Sequence, residues 1–317
     1  MQTISVLGYY DKGNIGDEAY KLAFQKLFPQ YKFEFKDHIT GKPEVIILGG
    51  GDVLSKGFIE IIDKHPQARK YALSVNFRQE HIPLIPKFNK IVSRNYTGSG
   101  IETMPDFTFA LSGNNENGKK LIKDLCERND VQLYNKKAVL TLNSYLCRRE
   151  HILGRDYITF DKVCYELANL IDETAATFIL LPLGNGFPEN DRIANSFVYA
   201  NTKFYKKNLL VYDKLSVQET LDIFAAVDVA ITSRLHAAIF SCIGNTPFID
   251  VTHHTKNRMF LESIGRLEWS INYWHFDYYK AKTLLWGFLE SDRVKFELAE
   301  VTNSLQKLLL PLASWEL

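Results

Sequence analysis

Val45-Ile-Ile-Leu-Gly-Gly-Gly-Asp52 is an unbroken aliphatic run that stops in three glycines and a carboxylate. Four apolar residues in succession, without alternation, are the pattern of a strand buried on both faces. Such strands belong to parallel sheets covered by helices. The flanking sequence repeats the theme. Residues 4–8 form a short β-rich run, a turn-rich loop follows at 11–17, and Ala19, Leu22, Ala23 and Leu27 then recur at helical spacing. Residues 31–35 alternate aromatic and charged side chains as an edge strand does, and residues 71–75 and 90–93 add two more strands. Strands alternating with helices imply parallel βαβ units with right-handed crossovers.

The most polar, turn-rich stretch is Ser112-Gly-Asn-Asn-Glu-Asn-Gly118, followed by a short helix at 119–127. A second αβ series begins beyond it, with strands at 138–142, 177–183, 209–212, 229–231 and 247–251. Helices are expected at 161–171, at 216–226 (opened by a Ser216…Glu219 capping box), from about 235, and at 292–310. The expected fold is α/β: two doubly wound Rossmann-like domains, 1–130 and 131–290, facing a ligand-binding cleft, with a C-terminal helix at 291–317.

A length of 317 residues suits two domains. With 38 basic and 37 acidic residues the formal charge is +1, which argues against a nucleic-acid binder, since neutralising phosphates demands a basic excess. No apolar run reaches membrane-spanning length, and the N-terminus lacks the basic and hydrophobic regions of a signal peptide. Cys126, Cys147, Cys164 and Cys242 are widely spaced, as reduced thiols in a cytoplasmic protein are.

Ligands of open parallel sheets bind beyond the carboxyl ends of strands, so the loops that follow strands matter most. Four stand out. Gly8-Tyr-Tyr-Asp-Lys-Gly-Asn-Ile-Gly-Asp-Glu18 combines three glycines with a helix start, but it matches neither a dinucleotide fingerprint nor a P-loop; Asp17 suits helix capping as well as function. The glycine triplet 49–51 implies a tight turn or a close approach. Arg94, at the exit of the 90–93 strand, is placed to clamp an anion. In Val229-Ala-Ile-Thr-Ser-Arg-Leu-His-Ala-Ala238, Ser233, Arg234 and His236 gather at one strand-to-helix junction, and Lys256 follows one βα step later. His253 and His254 lack a third ligand with metal-site spacing and read as loop residues.

Taken together, Asn14-Ile-Gly-Asp-Glu18, Gly49-Gly-Gly-Asp-Val-Leu54, Ser93-Arg94, Pro105-Asp106, Ser233-Arg-Leu-His236, Pro247 and Lys256 resemble the polysaccharide pyruvyl transferase family. The resemblance implies a fold like the type-B glycosyltransferases, with the N-terminal domain on the acceptor side and the C-terminal domain on the donor side. It implies transfer of the pyruvyl group of phosphoenolpyruvate, as co-substrate and with no metal or other cofactor, onto a sugar hydroxyl pair. A pyruvate ketal forms and phosphate leaves. Arg94, Arg234, Lys256 and Ser233 are then expected to bind the donor, and His236 and Asp17 to act catalytically. Asn14, Gly16, Gly50 and Gly51 are expected to meet the acceptor: a free, nucleotide-linked, lipid-linked or polymeric glycan, which would bring peripheral membrane association with a lipid-linked one. The sequence departs from the family pattern at Asn95, commonly Asp, and at His253-His254, commonly Tyr-Asp.

Two other readings fit the architecture. A nucleotide-sugar glycosyltransferase would use an acidic residue, Asp250 or Glu219, to hold a ribose. An inactive glycan-binding homologue is favoured only by the departures. Arg94, Arg234, His236 and Lys256 occur in family order, which puts the pyruvyl transferase first.

Overall fold

The computed structural model describes residues 2–144, 158–186, 190–252 and 254–317. The chain forms two compact units, Met1–Leu111 with Asn303–Leu317, and Ser112–Thr302. Unit 1 holds a six-stranded parallel sheet in the order β2-β1-β3-β4-β5-β6. Its strands are β1 (Thr3–Leu7), β2 (Lys32–Lys36), β3 (Val45–Gly51), β4 (Arg69–Val75), β5 (Lys90–Ser93) and β6 (Glu102–Thr103). Every residue of β3 is buried, as its unbroken aliphatic run requires. Helices α1 (Ile15–Leu27) and α2 (Lys56–Asp63) follow β1 and β3. Leu7, Ile46, Leu48, Ile62, Ala72 and Ile91 belong to one buried core cluster of this unit.

Unit 2 repeats the plan in the order β12-β11-β10-β7-β8-β9, again all parallel. Here β7 is Lys137–Thr141, β8 Thr177–Leu180, β9 Asn208–Leu210, β10 Val229–Thr232, β11 Phe248–Thr252 and β12 Ser270–Asn272. Its helices are α3 (Asn115–Arg128), α4 (Ile158–Glu173), α5 (Asp191–Asn201), α6 (Val217–Ala226), α7 (Leu235–Ile243), α8 (Thr255–Ser263) and α9 (Tyr278–Glu290). A long helix α10 (Asp292–Leu309) follows. The order of the strands reverses between β1 and β3 in unit 1 and between β7 and β10 in unit 2. Those are the switch points at which such sheets bind ligands.

The units divide at Leu111/Ser112, ahead of α3, whereas the sequence suggested a boundary near residue 130. The reason is close packing of α3 on α6. A Cβ at Gly113 or Gly118 would overlap the carbonyl of Leu221 or Asp222. The Asn114 N–H donates to Asp222 Oδ1 at 2.7 Å, and Asn115 Nδ2 to the Ala225 carbonyl at 2.6 Å. Nor is 291–317 a separate piece. Thr302 Oγ1 donates to the Cys242 carbonyl (2.8 Å) within unit 2, while the Trp315 carbonyl accepts from Gln30 Nε2 (2.9 Å) within unit 1.

Gly118→Ala tests this packing. The methyl group has no space against the α6 backbone, so the variant is expected to lose about 1–3 kcal/mol and melt at lower temperature. An unchanged or higher melting temperature, as the helix propensity of Ala alone would give, would contradict the contact.

Candidate active site

In unit 1, Asn14 caps α1, its Oδ1 accepting the N–H of Gly16 at 3.0 Å. Asp17 lies half-buried in the first turn of that helix. The side-chain position of Gly51 opens toward Asp17, at 3.8 Å from its Oδ1. Gly50 and Gly51 have φ of +73° and +76°, a region that L residues with side chains rarely adopt. Gly50 also lies flat against the Tyr20 ring, where any Cβ would clash. The glycine triplet thus has a packing reason of its own, besides the acceptor role expected of it.

Arg94 leaves β5 and turns inward. Its Nη1 donates to Asp106 Oδ2 at 2.7 Å and to the Tyr20 hydroxyl oxygen at 2.8 Å, and the Tyr20 hydroxyl itself donates to Asp106 Oδ2 at 2.5 Å. Burial opposes the guanidinium charge, but Tyr20 and Asp106 outweigh it, and its pKa lies above the ordinary arginine value. Asp106 Oδ1 accepts the backbone N–H and hydroxyl of Thr108 at 3.0 and 2.7 Å. Beside this cluster, Ser74 is fully buried at φ +56°, a strained conformation for serine, and its Oγ accepts the Phe107 N–H at 3.0 Å. Asn95 also has an identifiable task. Its Oδ1 accepts the Phe77 N–H and its Nδ2 donates to the Phe77 carbonyl, both at 2.9 Å. A carboxylate at this position has no N–H to donate, so asparagine fits the bridge.

In unit 2, Ser233, Arg234 and His236 follow β10 and Lys256 follows β11. These strands are neighbours, with Thr232 paired to Asp250, so all four residues stand on one carboxyl edge. Ser233 Oγ accepts the Asn143 N–H at 2.8 Å and thereby ties β10 to the loop after β7. Arg234 meets Asp191, the first residue of α5, along one edge of its guanidinium. Nη2 is 2.6 Å from Oδ1 and Nε 2.6 Å from Oδ2. Asp191 is fully buried and also accepts the N–H groups of Ser144, Leu183 and Gly184 at 3.1, 3.2 and 2.7 Å. Asp191 carries no signal in the sequence beyond being an acid at a helix start.

His236 and Lys256 are the second residues of α7 and α8, and both are half-buried. The His236 ring lies 6.2 Å from that of Phe240, one turn on. The N-cap residues of α2, α7 and α8 (Ser55, Arg234 and His254) make no side-chain cap hydrogen bond among the described residues, whereas Asn14, Asn114, Asn190, Ser216 and Asp277 cap α1, α3, α5, α6 and α9. Uncapped helix starts present backbone N–H groups and a positive dipole end, the environment an anion requires. His254 is the N-cap residue of α8, and His253 lies outside the described residues.

Of the two acids suited to a ribose, Glu219 closes the capping box of α6 and Asp250 is fully buried in β11. Asn257 Nδ2, on α8, donates to Asp250 Oδ1 at 2.7 Å. Burial pushes the Asp250 carboxyl up to about 7, against the lowering effect of that hydrogen bond. Neither Asp250 Oδ2 nor Asn257 Oδ1 has a partner among the described residues. A proton on Asp250 turns its orphaned acceptor into a donor, and the Asn257 carbonyl is an acceptor in need of one. The Asn257–Asp250 hydrogen bond fastens the first turn of α8, which carries Lys256, to the sheet.

A family model described as polysaccharide pyruvyl transferase matches residues 14–255. The chain belongs to this family. The match takes in Asn14, the glycine triplet, Arg94 and the Ser233–His236 junction, and ends one residue before Lys256. No curated protein matches the sequence significantly. Among solved structures, MnaA of S. aureus, in a structure with UDP, is 10% identical over 96% of this chain and 92% of its own, with a TM-score of 0.64. The spinosyn rhamnosyltransferase SpnG is 5% identical over 97% and 96%, at 0.60. UDP-GlcNAc 2-epimerase from Neisseria meningitidis, bound to UDP-GlcNAc, is 8% identical over 98% and 100%, at 0.56. At these identities the likeness is one of fold, and it assigns this pyruvyl transferase family member the architecture of the type-B glycosyltransferases. Among the described residues, no helix is long and apolar enough to cross a membrane.

Asp250 sets an expected pH dependence. Its folded pKa of about 7 lies above the unfolded value of about 4, so the folded state binds the proton more tightly. The stability it contributes is complete below pH 4 and is lost as pH rises toward 7, by at most about 1.4 kcal/mol per pH unit. Asp250→Asn keeps an amide able to pair with Asn257 and has nothing to titrate. Melting curves between pH 4 and 7 should therefore fall less steeply for the variant than for the parent protein; parallel curves would show that Asp250 is ionised in the fold.

Proposed function

We propose that the protein transfers the pyruvyl group of phosphoenolpyruvate to a pair of sugar hydroxyls, forming a ketal and releasing phosphate. One observation carries this reading: His236 and Lys256 sit on the first turns of two uncapped helices that leave adjacent strands of unit 2. A donor bearing both a carboxylate and a phosphate needs two anion positions side by side, and two helix starts with a lysine supply them. Arg234 stands at the same edge with its charge matched by the buried Asp191, and in this reading it orients the start of α7. His236, as imidazolium, protonates the methylene carbon and leaves an oxocarbenium-like centre. One sugar hydroxyl adds to that centre and its proton returns to the His236 imidazole; phosphate departs with the electrons of its C–O bond, and a second hydroxyl adds to the carbon and closes the ring, its proton passing to the departing phosphate. Asp17, beside the opening at Gly51, is the residue of unit 1 suited to orient or deprotonate the acceptor. Arg94 is engaged with Asp106 and Tyr20, and in this reading it braces the acceptor loops of unit 1.

The burial of Asp250 weighs against its holding the ribose of a nucleotide-sugar donor, and Glu219 is engaged in the capping box of α6. The test is phosphate release from phosphoenolpyruvate with free, nucleotide-linked and lipid-linked sugars, with mass spectrometry for an added pyruvyl group. His236→Ala is expected to lower the rate by about 10²–10⁴-fold, the range for a lost general acid, and Lys256→Ala to raise the KM for phosphoenolpyruvate. Consumption of nucleotide sugars without phosphate release would move the protein to glycosyl transfer.

A further inference from the structure

The amino-terminal edge of the sheet in unit 2, opposite the proposed donor site, carries a cavity of about 530 Å³. The segments that enter β7, β8 and β9 build its walls. Tyr134 precedes β7, Phe204 and Tyr205 precede β9, and these three rings line the cavity. Phe204 and Tyr205 are 61% and 58% exposed. They are held in the open rather than loose. The Asp172 carboxylate accepts the N–H groups of Lys203 and Phe204 at 2.8 and 3.2 Å. Lys207 Nζ donates to the carbonyls of Ile171, Asp172 and Thr174 at 2.7, 2.9 and 2.8 Å, fixing the aromatic segment to the end of α4. Paired aromatic side chains fixed facing solvent around a concavity mark a binding surface.

Charge narrows the ligand. Glu173 is paired with Lys282 at 2.6 Å and Lys206 with Asp130 at 3.1 Å, so these charges are already neutralised. Among the remaining charged groups of the lining, Lys203 and Lys207 stand against Asp172, so the wall is nearly balanced in charge and suits a neutral ligand. The side-chain amide of Gln132 and the hydroxyls of Tyr134 and Tyr205 have no partner among the described residues and can donate and accept. Flat apolar faces beside uncharged hydrogen-bonding groups complement a pyranose, which has an apolar C–H face and a hydroxyl rim.

We propose that this cavity binds a neutral hexopyranose segment of a glycan, a saccharide site separate from the transfer chemistry. The choice of ligand rests on the glycan-modifying reading of the family, and a second foothold would raise the local concentration of a polymeric acceptor. The test is native electrophoresis of the full chain through gels containing a soluble neutral glucan, galactan or mannan, or the anionic polygalacturonate. The wild type should be retarded by at least one neutral glycan. Phe204→Ala/Tyr205→Ala should bind it about tenfold or more weakly, as loss of aromatic anchors does. His236→Ala/Lys256→Ala should be retarded like the wild type, which separates this site from the proposed donor site. No retardation by any neutral glycan, retardation by polygalacturonate alone, or equal retardation of the Phe204/Tyr205 variant would overturn the proposal. A thermal melt of each variant confirms that it is folded before its mobility is read.

Discussion

The edge that carries the proposed chemistry depends on the Arg234–Asp191 pair. Two nitrogens of the guanidinium face two oxygens of a fully buried carboxylate, and three backbone N–H groups converge on that same carboxylate. Removing one member of such a pair leaves an uncompensated buried charge, at about 3–5 kcal/mol. The pair is also a joint. Asp191 binds the loops after β7 and β8, Arg234 begins α7, and Ser233 links β10 to β7 through Asn143. His236 owes its position to this knot.

Unit 1 is built on the same physical idea with other residues. Arg94, Asp106 and Tyr20 form a buried cluster at the exits of β5 and β6, next to the strained Ser74. Tyr20 then presents its ring to Gly50, so the charged cluster and the glycine turn share one side chain. Each unit places a buried arginine–carboxylate pair behind the loops at the carboxyl edge of its sheet. In unit 2 the arginine follows a switch-point strand, and two helix starts without a side-chain cap, those of α7 and α8, leave adjacent strands beside it, where unit 1 has one such start, that of α2. That difference is why the anionic donor is assigned to unit 2.

Much of this was legible from local sequence. The 45–52 run announced β3 because double-sided burial leaves an unbroken aliphatic string, and the 229–238 stretch placed Ser233, Arg234 and His236 at one junction. Non-local partners were illegible. Asp191 lies 43 residues from Arg234, and nothing nearby marks it as that arginine's partner. β6 and β12, with two and three residues, are too short for periodicity. The run around residue 115 reads only as polar and turn-rich, yet Gly113 and Gly118 serve close helix packing, a tertiary demand with no local signature. Asn95 reads as a departure from a family pattern until its two bonds to Phe77 show what an amide does there.

The most direct measurement is calorimetric binding of phosphoenolpyruvate to two variants of the whole protein. Lys256→Ala removes a proposed donor contact, and Arg94→Met/Asp106→Leu replaces the buried pair of unit 1 with apolar side chains. Assignment of the donor to the β10–β11 edge predicts that Lys256→Ala weakens binding about tenfold or more, the worth of a charge-assisted hydrogen bond, while the double variant binds like the parent. Undiminished binding by Lys256→Ala, with binding lost in a folded double variant, would contradict it and place the donor in unit 1.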